Sequence, residues 1–115
     1  MTAAAPKSQT PRTFVLVHGS WLGGWCWQRV ADRLQAAGHR VIAPTLTGVG
    51  DKAHLMSNLI TLDTWVRDVT TLIEVEDLRE VVLVGHSFGG RVATGVADRI
   101  RQRLRQVIFL DSVLA

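Results

Sequence analysis

Four short apolar runs, each too short for a helix and each separated from the next by a helical pattern or a long polar stretch, restrict this chain to few folds. The first, Thr13–Val17, carries its apolar residues consecutively rather than alternately, as a strand covered on both faces does. Arg40–Ala43 reads as a second strand closed by Pro44, Glu80–Gly85 as a third and Gln106–Leu110 as a fourth. After the first strand, Trp27, Val30, Ala31 and Leu34 fall at helical spacing ahead of Gly38, which supplies a left-handed stop. Leu62, Trp65, Val66, Val69, Leu72 and Ile73 share a second helical face, with Thr61 or Asp63 as its N-cap. A third, small-residue face comprises Gly89, Val92, Ala93, Val96, Ala97 and Ile100. The polar stretch from Pro44 through Asn58 has no clear period and reads as loop with a short helix.

Strands separated by helices cannot pair as hairpins, so the sheet is expected to be mostly parallel, with right-handed crossovers and helices on both faces. The fold class is α/β. Ligands of such sheets sit beyond the C-terminal strand ends, where this chain places His18, Gly19 and Ser20, then Pro44 and Thr45, then His86 and Ser87, then Asp111 and Ser112.

At 115 residues, 47% hydrophobic and 20% charged, the chain suits one globular domain, expected over 13–115 behind a disordered tail, 1–12. The apolar runs are far shorter than the roughly 20 residues of a membrane-spanning helix, and the tail lacks the apolar core of a secretory signal. Cys26 is the only cysteine, which excludes an intrachain disulfide and a cysteine-based metal site and fits a reducing cytoplasm. The net charge of +3 is concentrated in Arg99, Arg101, Arg103 and Arg105. With no aromatic residues between them to stack bases, these arginines read as a solvated face near a helix C-terminus rather than a nucleic-acid or membrane patch.

The sharpest chemical signal is Gly85-His86-Ser87-Phe88-Gly89 at a strand-to-helix junction. A serine alcohol is a poor nucleophile. A tight turn here lifts its hydroxyl clear of the sheet, at a helix N-terminus whose N–H groups favour developing negative charge. Such a turn leaves no room for side chains at Gly85 and Gly89. A phosphate-binding turn is the competing reading, but neither G-x-G-x-x-G nor the Lys-Ser/Thr of a P-loop is present. Acyl transfer needs two oxyanion donors: the backbone N–H of Phe88 and one from the loop after the first strand.

The run Val17-His18-Gly19-Ser20-Trp21-Leu22-Gly23-Gly24-Trp25-Cys26-Trp27, with Gly85–Gly90 and Asp111-Ser112-Val113-Leu114, resembles the α/β-hydrolase branch of plant methyl-ester esterases and hydroxynitrile lyases. The resemblance covers Thr13 to Ala115. It implies that the chain is the N-terminal part of that fold, ending after the strand that follows the nucleophile helix. It also implies an oxyanion donor at the backbone N–H of Ser20. The lyases of this branch carry threonine where this chain has Gly19 and glutamate where it has His86, and both departures favour an esterase.

His18, His39, His54 and His86 all precede Ser87, whereas the fold orders its triad as nucleophile, acid, histidine, so the general base is expected beyond residue 115. His86 is expected to pack beneath the elbow, His18 to order the oxyanion loop and His39 to face solvent. His18, Gly19 and Trp21 are candidates for the substrate pocket; the other tryptophans read as packing residues. Asp111 holds a position some α/β-hydrolases use for the acid, but the resembled branch places its acid after a later strand, and a structural role is expected. Asp51 and His54 lack a third partner for a metal. The expectation is therefore a serine hydrolase for small carboxylic esters, without cofactor or metal, forming an acyl-enzyme on Ser87. The contrasting expectation is a non-catalytic or partner-dependent remnant, self-associating through the open edge of its last strand.

Overall fold

The computed structural model describes residues 10–112. Most of the expected tail, 1–9, and the closing residues Val113 and Leu114 of the motif lie outside the described residues. The elements run β1 (Thr13–Val17), α1 (Gln28–Ala36), β2 (Arg40–Ile42), α2 (Leu62–Val75), β3 (Val81–His86), α3 (Gly89–Ile100) and β4 (Leu104–Leu110). The sheet order is β2-β1-β3-β4, and every pairing is parallel.

Alternation along the strands divides the core between two faces. Val15, Val17, Val81 and Leu83 meet Val66, Val69 and Ile73 of α2 and Val92, Ala93 and Val96 of α3. Leu16, Val82 and Val84 point the other way, onto Trp27. That second face is thinly covered. Trp27 belongs to a short 3-10 helix, Gly24–Trp27, while α1 itself buries no residue and Val30, expected on its inner face, is 43% exposed.

The helix ends follow the sequence. Gly38 at φ +95 stops α1 in a Schellman motif, with His39 N–H donating to Leu34 O and Gly38 N–H to Gln35 O. Of the two N-cap candidates for α2, the structure selects Thr61, in a reciprocal capping box with Thr64. The unassigned stretch holds a kinked 3-10 segment, Gly50–Leu55, and sends Leu46 and Val49 into the main core. β4 begins two residues earlier than expected, because Val81 pairs with Leu104 and Val82 with Gln106, leaving Arg105 at an irregularity in the ladder.

The arginine cluster keeps the solvated face expected of it, with Arg99, Arg101 and Arg105 exposed, and three of its members also form ion pairs. Arg99 pairs with Asp63, Arg103 with Asp77 at 2.7 Å and Arg105 with Glu80 at 3.8 Å. Those acids lie at the two ends of α2 and ahead of β3, so local sequence does not reveal the pairing. β4 leaves Ile108, Phe109 and Leu110 exposed along the sheet edge. Among the described residues no helix is long and apolar enough to cross a membrane, and no group of three His, Cys, Asp or Glu converges on a metal position.

Candidate active site

Ser87 sits between β3 and α3 at φ +55, a left-handed conformation that typically costs a non-glycine residue about 1–3 kcal/mol. The turn is held from several directions. Ser87 N–H donates to Leu110 O at 3.3 Å, Gly90 N–H donates to Ser87 O at 3.0 Å, and the Ser112 hydroxyl donates to Gly85 O. Neither flanking glycine can carry a side chain here. A methyl group on Gly85 would lie 2.6 Å from Gly89 O, and one on Gly89 would lie 2.5 Å from Val17 O and 2.7 Å from His18 O. Both obstacles are backbone.

The β1 loop runs alongside. A methyl group on Gly19 would sit 3.1 Å from Ser87 Cβ, so Ser87 and the loop are in near contact. Ser20 follows, exposed, and among the described residues neither its N–H nor that of Phe88 donates to a protein acceptor. Both amides are adjacent to the serine turn or to the loop touching it. Trp21 stands at φ +65 and is 81% exposed, a position that leaves its ring in solvent rather than folded over Ser87.

His18 is buried, 1% exposed, and both ring nitrogens are engaged. Leu46 N–H donates to Nε2 at 3.0 Å, which makes Nε2 the unprotonated nitrogen and assigns the proton to Nδ1, 2.8 Å from Gly19 O. Burial pushes the His18 pKa below its ordinary value, and the bond to Gly19 only partly opposes that. A neutral imidazole with no free nitrogen orders a loop and has none to offer a substrate, although His18 was a candidate for the pocket wall. His86 packs edge-on against Trp27, with ring centroids 6.2 Å apart, on the α1 side of the sheet. It lines a concavity of about 210 Å³ with Leu22, Cys26, Val30 and Leu110. His39 is not simply solvent-facing: its Nδ1 accepts from Arg12 N–H at 2.9 Å, and its ring meets Phe14. Asp111 is exposed at φ +47, just past β4. Among the described residues no side chain accepts a hydrogen bond from the Ser87 hydroxyl. A larger concavity of about 510 Å³ lies over α1 and β2, lined by Trp25, Gln35 and Asp51 among others, and does not include Ser87.

Sequence reasoning did not find the contacts that hold the β2 loop. Asp68 accepts from Thr47 N–H at 2.7 Å and from the Thr47 hydroxyl at 2.8 Å, and Trp65 Nε1 donates to Thr47 O at 2.8 Å. The Trp65 ring also meets Phe88 edge to face, 5.7 Å between centroids. Asp68 and Trp65 are three residues apart on α2, a spacing that places them side by side, but nothing local marks Thr47 as their target.

A serine on a strained strand-to-helix turn beside a glycine loop is the arrangement of an α/β-hydrolase. Residues 14–115 match the model of the alpha/beta hydrolase family, and the chain belongs to that family. It is 57% identical over 99 residues to a carbendazim hydrolyzing esterase of Nocardioides sp. (strain SG-4G), covering 86% of this chain and 41% of that protein. It is 35% identical over 102 residues to methylesterase 8 of Arabidopsis thaliana, covering 88% and 38% respectively. Among solved structures it resembles an extracellular α/β-hydrolase from a Paenibacillus species, described as sharing structural and functional homology with tobacco salicylic acid binding protein 2. There the TM-score is 0.84 at 34% identity, over 91% of this chain and 42% of that one. The chain thus spans about two fifths of the length of these relatives. They fall in the branch expected from the sequence, that of the methyl-ester esterases and hydroxynitrile lyases.

Proposed function

We propose that Ser87 is the nucleophile of a carboxylic-ester hydrolase to which these 115 residues contribute the nucleophile and oxyanion half of the site. The observation that carries this reading is the left-handed Ser87 in near contact with Gly19, with two undonated backbone amides, Ser20 and Phe88, beside it. The esterase relatives support the reaction class.

In the reaction, Ser87 Oγ adds to the ester carbonyl carbon while its proton passes to a general base. The carbonyl oxygen takes up the negative charge, and the Ser20 and Phe88 N–H groups donate to it. Collapse expels the alcohol, which takes the proton from the base, and leaves the acyl group on Ser87; water then releases it as the acid. The base is supplied from outside these residues, since all four histidines precede Ser87 and His18 is engaged at both nitrogens. Gly19 and His86, at the positions where the lyases of the branch carry threonine and glutamate, support ester cleavage over cyanohydrin chemistry. No cofactor or metal enters the scheme, and a lone Cys26 supports a reducing compartment such as the cytoplasm. For the 115 residues alone, the apolar β4 edge supports self-association.

The test is labelling of the complete gene product with a fluorophosphonate, in the native protein and in Ser87→Ala. Label confined to the native protein is the expected result. Equal label in both, or none in either, removes Ser87 from the reaction.

A further inference from the structure

We infer that Trp65 and Asp68, one turn apart on α2, are positioning residues that set both halves of the oxyanion hole through the β2 loop and the Phe88 ring. The inference rests on the reading of Ser20 and Phe88 as oxyanion donors.

The path to Ser20 can be followed bond by bond. Asp68 grips Thr47 at its N–H and hydroxyl, and Trp65 Nε1 grips the same residue at its carbonyl. Thr47 is thereby fixed at every polar group it has. The adjoining residue, Leu46, has its side chain buried in the core and its N–H donating to His18 Nε2 at 3.0 Å. That bond fixes the tautomer and plane of the His18 ring, whose Nδ1–H donates to Gly19 O at 2.8 Å. Gly19 C=O and Ser20 N–H belong to one planar peptide unit, so whatever holds the carbonyl sets the direction of the N–H on its opposite side. The α2 carboxylate is therefore connected, through hydrogen bonds of 2.7–3.0 Å and two residues of loop, to the plane of the peptide that donates to the oxyanion.

The path to the other donor is shorter. The Trp65 ring meets the Phe88 ring at 5.7 Å and 81°, and Arg91 covers Phe88 with its guanidinium 5.8 Å from the ring centroid. Phe88 is the residue whose N–H is the second donor, and its side chain is held between α2 and the first turn of α3. One indole thus touches both arms, by its N–H to the β2 loop and by its ring to Phe88. Neither residue touches the reacting atoms. Their effect is on direction, and a donor moved by about an ångström can cost on the order of 100-fold in rate.

The readout has to separate donor aim from general damage. A thionoester carries sulfur where the ester carries the oxygen that becomes the oxyanion, and sulfur is the weaker acceptor, so the ratio of the two rates reports on the hole. In the complete gene product, kcat/KM is measured for p-nitrophenyl acetate and p-nitrophenyl thionoacetate in Asp68→Ala, Trp65→Phe, Thr47→Val and Thr47→Ser. Trp65→Phe keeps a ring against Phe88 and removes only the N–H bond, and Thr47→Ser keeps both bonds to Asp68. Asp68→Ala and Trp65→Phe are expected to lower ester kcat/KM about 10- to 100-fold and the ester-to-thionoester ratio several-fold. Thr47→Val should lower the ratio and Thr47→Ser should leave it at the native value. An unchanged ratio in Asp68→Ala and Trp65→Phe overturns the inference, whether rates fall or not, because misfolding lowers both rates together. Fluorophosphonate labelling of the native protein is run alongside. If Ser87 fails to label, the reading of the site falls; if it labels and the ratios stay fixed, only the positioning role falls.

Discussion

Gly89 offers the most direct check on the packing of the elbow. A methyl group there would lie 2.5 Å from Val17 O and 2.7 Å from His18 O, roughly an ångström inside ordinary contact. Both atoms are backbone at the end of β1, a strand paired on both sides, and no side-chain rotation relieves the overlap. Insertions of this kind into packed interiors cost about 1–3 kcal/mol, while alanine in place of glycine in a helix recovers up to about 1 kcal/mol. Gly89→Ala should therefore be destabilised by about 1–2 kcal/mol, read as a lower urea midpoint at unchanged m-value. Gly19→Ala is the internal comparison. Its methyl group would meet Ser87 Cβ at 3.1 Å and His86 O at 3.3 Å, overlaps of a few tenths of an ångström. It should cost well under 1 kcal/mol in stability, yet lower ester turnover, because the atom it presses on belongs to Ser87, the proposed nucleophile. A Gly89→Ala protein as stable as the native one would refute the account of the elbow as a turn closed against β1.

Two other perturbations test the supports of the site. Thr61→Ala removes one side of the capping box at the head of α2 and should cost about 1 kcal/mol, measured by urea unfolding; Thr61→Ser should restore it. His18 gives a pH dependence of definite sign. Its ordinary pKa is 6.5 and burial lowers it in the fold, so the unfolded chain binds the proton first as pH falls. Its contribution to stability is complete above pH 6.5 and is lost as pH drops through the lowered folded value, where protonation breaks the bond from Leu46 N–H. Urea midpoints from pH 7.5 to 5 should fall more steeply in the native protein than in His18→Asn, and parallel profiles would remove His18 from that role.

The sequence carried most of the fold because its information is local. Consecutive apolar residues in β1 and β3 announce strands buried on both faces, and Thr61, Gly38 and Gly89 mark helix ends within one turn of where they fall. The elbow was legible for the same reason, since a strand, two glycines and a serine occur within a few residues. What escaped was non-local. Leu46 and Val49 are core residues without periodicity, because a loop rather than a regular element delivers them. Thr47 is 21 residues from Asp68, and Arg103 is 26 from Asp77, with only the fold to bring each pair together. The thin cover of α1, whose Val30 stays exposed, was equally invisible, because a helical face reads as apolar whether or not anything buries it fully.

Backbone strain at two positions besides Ser87 supports the proposed location of the chemistry. Trp21 follows β1 at φ +65, Ser87 follows β3 at φ +55 and Asp111 follows β4 at φ +47. Three non-glycine residues in the left-handed region beyond the C-terminal ends of three parallel strands cost of order 1–3 kcal/mol each, so the surrounding structure must hold them there. For Ser87 the holding contacts are explicit: the bond to Leu110 O, the Ser112 bond to Gly85 O, and two glycines packed on backbone. Asp77 and Glu80, at the opposite ends of the strands, also have positive φ, but there Asp77 ends α2 in a Schellman motif, its N–H donating to Glu74 O and Leu78 N–H to Ile73 O, and both residues belong to the tight connection between α2 and β3. Trp21, Ser87 and Asp111 follow strands, and no helix end accounts for their strain. That strain is concentrated where the Ser20 and Phe88 amides have no protein acceptor among the described residues, so the conformational cost and the unspent donors fall at the same end of the sheet.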